Sequence, residues 1–384
     1  MFMTIPSPSP EAVVIVGGGF GGLFSALAIT ARLPDRPVVL IEPQEHFHFQ
    51  PLLYELLSGE LQSWEVAPTY RELLSSRGIC WVQDRVTNIN LAGQELTTAS
   101  ADRLTWSDLV LATGTEPNDF GIPGVREHAV GFRNLKDVTH LRERVQDLRQ
   151  RHEKDAALVI VGAGPTGCEL ACKLADLLGG SARIHLVERG PGILPRSTAF
   201  NRERATAALE RRQVCLHLDT AVSRVDKDRV SFNDGSSLRH HGLIWSAGSR
   251  PSLPRTEPPQ TKPGEALSIA ADLRVLGQEH VYALGDCARY GDDPWPATAQ
   301  VAMQQGDAIA AALSAVGQGQ DPEPFQFQDL GEMLSLGVGD ATLTGLGITL
   351  AGPLAFRIRR ATYLTRMPGL SLGLRSAGAW LLNR

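Results

Sequence analysis

Two glycine-rich segments, far apart in the chain, are the most specific indication in this sequence of a chemical function. Both follow the pattern G-x-G-x-x-G, with glycines at Gly17, Gly19 and Gly22 in the first and at Gly162, Gly164 and Gly167 in the second. The first glycine allows a tight turn, the second lets the backbone approach a pyrophosphate, and the third lets a helix pack on a strand. Because a pyrophosphate binds at the positive end of that helix, the patterns predict two dinucleotide sites.

Each pattern stands in the sequence context that a dinucleotide site requires. Apolar runs at 13–16 and 158–161 precede the glycines, and a second apolar run ends at Glu42 in one copy and at Glu188 in the other. A carboxylate at this strand end, about 25 residues after the first glycine, accepts hydrogen bonds from both ribose hydroxyls. Two such sites in one chain predict FAD in one and NAD(P)H in the other, and the convention of two-site flavoproteins assigns FAD to the N-terminal one.

The segments around the patterns predict an α/β protein with two nested Rossmann-type dinucleotide-binding domains and a small C-terminal region. Proline-rich segments at 117–124 and 251–263 are expected to be the hinges of the inserted domain. The expected limits are 11–120 and 264–324 for a discontinuous FAD-binding domain, 121–263 for the NAD(P)H-binding domain and 325–384 for a membrane-associating region.

Composition and cysteine usage argue against several kinds of function. The net charge of −5 disfavours a nucleic-acid-binding surface. The five cysteines are scattered, which predicts reduced thiols rather than disulfides. No cysteine stands at 45–59, where disulfide reductases of this architecture need a redox pair, and none follows Cys287, where sulfide:quinone reductases need one. No Cys/His group has the spacing of metal ligands, so no metal site is expected.

The sequence contains no signal for a membrane-spanning segment. Residues 1–10 are rich in Ser and Pro and predict a short disordered leader rather than a signal peptide. No run reaches the roughly 18 apolar residues of a spanning helix.

These residues together resemble those of the two-dinucleotide flavoprotein reductases. Within that class the chain is similar to the type II NAD(P)H:quinone oxidoreductases over nearly its whole length. Three turns match those that close over the cofactors in this family, namely Ala112-Thr113-Gly114, Ala247-Gly248 and Gly285-Asp286. The resemblance implies that Asp286 bonds the ribityl chain of FAD and that electrons pass from NAD(P)H to a quinone.

The segment after the Gly285-Asp286 turn resembles the helix that lines the quinone site in this family. It reads Ala299-Gln300-Val301-Ala302-Met303-Gln304-Gln305 and matches the family pattern A-Q-x-A-x-Q. Gln300 and Gln304 are four residues apart and share one helical face, so the resemblance implies that their amides bind a quinone carbonyl. Glu169, two residues after Gly167, matches an acid for which the family implies a role in relaying protons to the quinone.

Segments 51–68 and 330–337 resemble the cyanobacterial and plastid members of the family. This branch implies reduction of demethylphylloquinone, a naphthoquinone, in phylloquinone biosynthesis. Two alternatives stay open: a respiratory-type NADH:plastoquinone or menaquinone dehydrogenase, and a slow-turnover flavin-bound NAD(P)H sensor. A ferredoxin- or rubredoxin-type reductase is disfavoured by the glutamine helix and by a basic, apolar tail.

Glu188 bears on the choice between NADH and NADPH. Its carboxylate suits the free 2′-hydroxyl of NADH and repels a 2′-phosphate, whereas Arg189 could pair with that phosphate. The branch is linked to NADPH, so the residue and the resemblance disagree and the coenzyme stays open.

The C-terminal tail from Gly352 onward has no acidic residue and carries arginines at Arg357, Arg359, Arg360, Arg366, Arg375 and Arg384. Apolar residues at helical spacing between them predict an amphipathic helix on an anionic membrane surface; the alternative is a C-terminal helix that docks on the protein with its arginines in solvent. The expected location is therefore peripheral, at the cytoplasmic face of a thylakoid or plasma membrane, where a membrane quinone can be reached. A homodimer is left open.

Overall fold

The chain folds into two compact units, each assembled from separate segments. The computed structural model describes residues 11–151 and 153–382, so the leader expected at 1–10 lies outside the described residues. The first unit contains 11–47, 68–116 and 249–328, and the second contains 48–67, 117–248 and 329–382. That FAD binds in one of the two expected dinucleotide-binding domains and NAD(P)H in the other stays a prediction.

A five-stranded parallel sheet is the centre of the first unit. Its strands, in spatial order, are Val281–Ala283, Asp108–Leu111, Val13–Val16, Val38–Ile41 and Ile79–Val82. The strand before the first pattern lies in the middle, and the strand that ends before Glu42 is its neighbour. Both are fully buried runs of apolar residues, as expected of a parallel sheet that is covered on both faces.

Two helices of the first unit pack closely against each other. Helix Phe20–Arg32 follows the first pattern, and helix Ala299–Gly317 contains the glutamines expected at the quinone site. A glycine allows this approach, because a Cβ at Gly306 would lie 2.9 Å from the backbone nitrogen of Ser25. The packing therefore holds the glutamine helix against the helix of the first dinucleotide site.

The rest of the first unit consists of short elements. A four-stranded sheet contains Arg255–Glu257, Val86–Asn90, Glu95–Thr98 and Arg103–Thr105, and a two-stranded one contains Leu267–Ile269 and Ala288–Tyr290. Further elements are the strand Ser249–Pro251, the helix Tyr70–Leu74 and the 3₁₀ turn Gly285–Cys287.

The second unit repeats the arrangement of the first around the second pattern. Its parallel sheet has the order Cys215–His217, Arg183–Val187, Ala157–Val161, Leu243–Trp245 and Ala129–Val130. The long helices of this unit are Leu135–Arg151, Pro165–Leu178 and Ala199–Arg211. Shorter elements are the helices Leu53–Ser58, Ser63–Val66 and Val125–His128, the 3₁₀ turn Gln50–Leu52 and the antiparallel strands Val222–Val225, Arg229–Phe232 and Ser237–Arg239. Two nested dinucleotide-binding folds in one chain confirm the predicted fold class.

The C-terminal region has more structure than the single amphipathic helix expected from the sequence. An antiparallel sheet of Glu332–Ser335, Ala341–Gly345 and Ile348–Ala351 precedes the helices Pro353–Thr365 and Leu370–Leu382. Arg359 is fully buried in an ion pair with Glu55 and so is not one of the surface cations of a membrane-facing helix. Arg384 lies outside the described residues. No helix within 11–151 and 153–382 is both long enough and apolar enough to cross a bilayer.

The third glycine of each pattern is expected to be indispensable for folding. A Cβ at Gly22 would lie 1.7 Å from the carbonyl oxygen of Gly17, and backbone cannot yield at that distance. Gly22→Ala should therefore lower the free energy of unfolding by about 2 kcal/mol or more in urea denaturation. Gly19→Ala is the matched control, because nothing lies within 4 Å of its Cβ position, and it should unfold like the parent. Equal stability of both variants would contradict this assignment.

Candidate functional site

The first dinucleotide turn has the shape that the glycine pattern predicts. Gly17 has a φ of +98°, and a Cβ there would lie 2.5 Å from the carbonyl oxygen of Ala112. Gly19 is the N-cap of helix Phe20–Arg32 and has open space in front of it. The turn thus presents bare backbone at a helix N-terminus, which is the form of a pyrophosphate cradle.

Glu42 holds this turn together. Its Oε2 accepts the N–H of Gly18 at 2.7 Å, and its Oε1 accepts the N–H of Gln44 at 2.8 Å. Burial raises the pKa of Glu42, while the N–H groups of Gln44 and Gly18 and the charge of Arg85 oppose that rise. The carboxylate keeps further lone pairs for the hydroxyls of a ribose.

The second dinucleotide turn repeats this geometry. Gly162 has a φ of +102°, and a Cβ at Gly167 would lie 1.8 Å from the carbonyl oxygen of Gly162. Gly164 is the N-cap of helix Pro165–Leu178, and nothing lies within 4 Å of its Cβ position. Open backbone at the second glycine fits a dinucleotide in this unit as it does in the first.

Glu188 occupies the same place in the second turn as Glu42 does in the first. Its Oε2 accepts the N–H of Ala163 at 2.8 Å, and its Oε1 accepts the N–H of Gly190 at 2.9 Å. The two carboxylates therefore bond equivalent backbone groups. The matching geometry suits a ribose with a free 2′-hydroxyl at Glu188 as it does at Glu42.

Phe120 lies against the Ala247-Gly248 turn of the second unit, which the sequence did not predict. Gly248 has a φ of +71°, and a Cβ there would lie 2.3 Å from Cζ of Phe120. The Phe120 ring is 51% exposed, and the Arg189 guanidinium lies 5.8 Å from its centroid. Arg189 thus rests on an aromatic face, which is a cation–π arrangement.

The other two predicted turns lie at one edge of the first sheet. Strands Asp108–Leu111 and Val281–Ala283 pair in parallel, so the turn at Ala112, Thr113 and Gly114 and the turn at Gly285 and Asp286 leave the same edge. The N–H of Gly285 donates to Oε1 of Gln305 at 2.7 Å. The sequence analysis did not single out Gln305, which is buried. Val301 and Ile309 lie four residues before and after it and are also buried. This helical spacing is the signal that Gln305 faces the core.

The predicted quinone-site glutamines lie on the first two turns of helix Ala299–Gly317, and both are partly buried. The hydroxyl of Thr298 caps this helix by accepting the N–H of Val301 at 3.3 Å. The amide of Gln304 donates to the carbonyl of Gln328 at 2.9 Å and accepts its N–H at 3.0 Å. This two-way contact fixes the orientation of the Gln304 amide.

Glu169 is buried in the second unit on helix Pro165–Leu178. Its Oε1 accepts the N–H of Ser335 at 2.7 Å, and its carboxyl group is hydrogen-bonded to the hydroxyl of Tyr54. Burial raises the pKa of Glu169 to about 7, against the opposing charge of Arg359. An acid with this pKa exchanges its proton near neutral pH, which is what general acid–base chemistry requires.

The three buried thiols are poor candidates for redox or nucleophilic chemistry. All five cysteines are free, and burial raises the pKa of Cys172 to about 12. Burial likewise raises the pKa of Cys168 and of Cys287. A thiol with a raised pKa stays protonated and is a poor nucleophile. In the described part of the chain, no group of three or more His, Cys, Asp or Glu side chains is arranged to hold a metal ion.

The structure thus groups the predicted site residues by unit. The first pattern, Glu42, the two sheet-edge turns and both glutamines belong to the first unit. The second pattern, Glu188, Gly248 and Glu169 belong to the second. Each unit has its own cradle and ribose carboxylate, so each can hold one dinucleotide.

The chain is similar to one known protein family and to proteins described as quinone oxidoreductases. Residues 11–306 match the model of the pyridine nucleotide-disulphide oxidoreductase family. The chain is 36% identical to demethylphylloquinone reductase NdbB of Synechocystis, over 97% of this chain and 98% of that protein. It is 33% identical to alternative NAD(P)H-ubiquinone oxidoreductase C1, chloroplastic/mitochondrial, of Arabidopsis thaliana, over 94% of this chain and 79% of that protein.

A solved structure shares the fold. NDH2 from Plasmodium falciparum in complex with NADH superposes with a TM-score of 0.85 at 18% identity, covering 95% of this chain and 96% of that one. The cofactors expected from the two patterns, FAD and NAD(P)H, agree with the matched family. The chain belongs to the pyridine nucleotide-disulphide oxidoreductase family and, within it, to the type II NAD(P)H:quinone oxidoreductases.

Proposed function

We propose that this protein is an NAD(P)H-dependent naphthoquinone reductase that works at a membrane surface, with demethylphylloquinone as its quinone. The observation that carries the choice of quinone is the full-length similarity to a demethylphylloquinone reductase. Two dinucleotide cradles and a buried acid with a pKa near neutrality support the reaction class.

We assign FAD to the first unit and NAD(P)H to the second. FAD would be held by Gly17, Gly19, Gly22, Glu42, Ala112, Thr113, Gly114, Gly285 and Asp286. NAD(P)H would be held by Gly162, Gly164, Gly167, Glu188 and Gly248. When bound, FAD supplies the hydride acceptor for NAD(P)H and the electron donor for the quinone. The protein supplies binding and orientation through its open glycine backbone and the two ribose carboxylates.

The quinone is proposed to be oriented by Gln300 and Gln304 and to receive a proton from Glu169. The side-chain amide of Gln304 donates one N–H to the carbonyl of Gln328 and accepts the N–H of Gln328, so its orientation is already fixed. The second N–H of that amide can donate to a quinone carbonyl. No side-chain nucleophile is required, which agrees with the absence of a cysteine at 45–59.

A coenzyme-by-quinone activity matrix on the purified holoprotein tests the proposal. We expect NAD(P)H oxidation to depend on a quinone, with higher kcat/KM for demethylated naphthoquinones than for menaquinone, which is a ring-methylated naphthoquinone, or for plastoquinone. Preference for plastoquinone or menaquinone would instead support the respiratory-type alternative. Turnover that stays slow with every quinone would support the sensor and contradict the proposal.

NADH is the proposed preferred coenzyme, since both oxygens of Glu188 are arranged as those of Glu42 are. Glu188→Gln should lower kcat/KM for NADH about tenfold, because the carboxylate that accepts hydrogen bonds from the ribose hydroxyls is lost. It should spare NADPH, because the charge that repels a 2′-phosphate is lost with it. Steady-state kinetics with both coenzymes measure this. Glu203→Gln, which changes an exposed carboxylate of the same unit, is the control. An unchanged NADH to NADPH ratio in Glu188→Gln would contradict the assignment.

Membrane attachment is proposed for the C-terminal region. Large apolar side chains are exposed there at Leu346 (76%), Ile348 (52%), Leu354 (58%) and Leu374 (71%). Two of the tail arginines lie on tryptophan rings, Arg360 on Trp380 at 4.1 Å and Arg375 on Trp64 at 4.7 Å. Exposed apolar groups beside cations and tryptophans are typical of surfaces that enter the interface of an anionic membrane. The cytoplasmic face of a thylakoid or plasma membrane stays the proposed location.

Strands Ala341–Gly345 and Ile348–Ala351 form a hairpin on which Leu346 and Ile348 are exposed, and replacing these two residues should weaken membrane binding. The double variant Leu346→Asp with Ile348→Asp is expected to reduce binding to vesicles of phosphatidylglycerol at least about tenfold, since each buried aliphatic side chain contributes about 2 kcal/mol. Vesicle co-sedimentation measures it. Leu276→Asp, at a position of similar exposure in the first unit, is the control and should bind like the parent. Equal loss in both variants would contradict a specific C-terminal surface.

A further inference from the structure

A short segment of the second unit presents an aromatic ring at one of the predicted coenzyme turns. The backbone of Phe120 is in the left-handed region, with a φ of +52°. The Oδ1 of Asn118 accepts the N–H of Phe120 at 2.9 Å, and the Oδ1 of Asp119 accepts the N–H of Gly121 at 2.9 Å. Asp119 also pairs with Arg126. The backbone that carries the ring is therefore fixed by the side chains around it.

The same segment is tied to the end of a sheet strand. The indole N–H of Trp245 donates to the carbonyl of Asn118 at 2.9 Å, and the N–H of Asn118 donates to the carbonyl of Gly248 at 3.4 Å. The ring of Phe120 lies directly on Gly248, as the 2.3 Å approach to its Cβ position shows. The ring thus stands at the carboxyl end of strand Leu243–Trp245, with half of its surface open.

Arg189 reaches this ring from the other side of the second glycine pattern. Val187, Val161 and Trp245 are level on three neighbouring strands, with Val161 in the middle. Neighbouring strands are about 4.8 Å apart, so Val187 and Trp245 are separated by about 10 Å. Arg189 follows Val187 by two residues, yet its guanidinium lies 5.8 Å from the centroid of the Phe120 ring. Its side chain therefore extends across the end of the middle strand, where the glycine pattern begins.

This direction takes the guanidinium away from the place where a 2′-phosphate would bind. Glu188 marks that place, because a carboxylate at this strand end bonds the ribose hydroxyls. Arg189 follows Glu188 directly, and a nearby arginine is the residue type that accommodates a 2′-phosphate in dinucleotide folds. Arg189 can serve such a phosphate only after its guanidinium leaves the Phe120 ring.

No carboxylate competes with the ring for Arg189. The side chain is exposed, and within residues 11–151 and 153–382 no carboxylate oxygen lies at ion-pair distance from its guanidinium. The oxygens of neighbouring Glu188 accept the N–H groups of Ala163 and Gly190. The contact with Phe120 therefore decides where this cation lies.

We propose that Phe120 is a positioning residue that determines coenzyme specificity, because its ring holds Arg189 away from the 2′-position and so disfavours NADPH. The inference rests on the assignment of NAD(P)H to the second unit under the proposed function. It adds to the carboxylate of Glu188 a second determinant, which acts by withholding a cation.

The expected size of the effect follows from the strength of the contact. A ligand that needs the minor state of an equilibrium binds more weakly in proportion to the population of that state. An exposed cation–π contact is weak, so the ring should reduce the affinity for a 2′-phosphate by about threefold. Once released, the guanidinium can donate charge-assisted hydrogen bonds to the phosphate.

Binding of two coenzyme fragments measures this without hydride transfer. ADP-ribose and 2′-phospho-ADP-ribose differ by the 2′-phosphate alone, and neither contains nicotinamide. Isothermal titration calorimetry on the full-length holoprotein gives the Kd of each, and the Kd of the phosphorylated fragment divided by that of ADP-ribose is the discrimination ratio. Phe120→Leu should lower this ratio about threefold, because Arg189 is released. Phe120→Tyr keeps the ring and should have the ratio of the parent.

Further variants show whether Arg189 carries the effect. The double variant Phe120→Leu with Arg189→Met should have the same ratio as Arg189→Met alone. Phe200→Leu is the matched control, because the Arg204 guanidinium lies 5.2 Å from the centroid of the Phe200 ring on helix Ala199–Arg211 of the same unit. Loss of this second cation–π contact should leave the ratio unchanged.

The same ratio in the parent and in Phe120→Leu would overturn the proposal, and so would a fall that persists when Arg189 is replaced. Failure of the proposed function is seen separately. A parent ratio near one would contradict the proposed NADH preference, and a parent that reduces no quinone would contradict the proposed reaction. Neither result enters the comparison between Phe120→Leu and the parent.

Discussion

The contact between the third and the first glycine of each dinucleotide pattern is the constraint on which the rest of the site depends. In both units the position for a Cβ on the third glycine lies under 2 Å from the carbonyl oxygen of the first. Helix and strand can meet only because the third glycine lacks a side chain. That approach aims a helix N-terminus across the sheet edge, and Glu42 and Glu188 then bond the middle of each turn.

Charge balance is the second constraint, and it links the C-terminal region to the chemistry. Arg359 comes from a segment whose composition predicts only a membrane surface, yet it pairs with Glu55 inside the second unit. A buried guanidinium needs such a partner, so the helix Pro353–Thr365 is fixed by electrostatics as well as by apolar packing. The same pair acts on Glu169, whose raised pKa suits proton transfer at neutral pH.

The features that the sequence predicted are those set by local patterns. Glycine spacing and apolar runs fix the two strand–turn–helix units. The contacts of Glu169, Gln305 and Phe120 could not be predicted in this way. Each depends on a partner far away in the chain, such as Ser335 for Glu169. The tail shows the same limit, since amphipathic spacing cannot tell a solvent-facing arginine from one paired with a distant carboxylate.

Separate measurement of the two half-reactions shows whether Glu169 gives its proton to the quinone. Holoprotein of the parent and of Glu169→Gln is mixed anaerobically with NADH, and then, once reduced, with a naphthoquinone, while flavin absorbance is followed. In Glu169→Gln we expect an unchanged rate with NADH and a rate with the quinone that is slower by about tenfold or more, because only the second step needs the Glu169 proton. Equal quinone rates in the two proteins, or a defect confined to the NADH step, would contradict it.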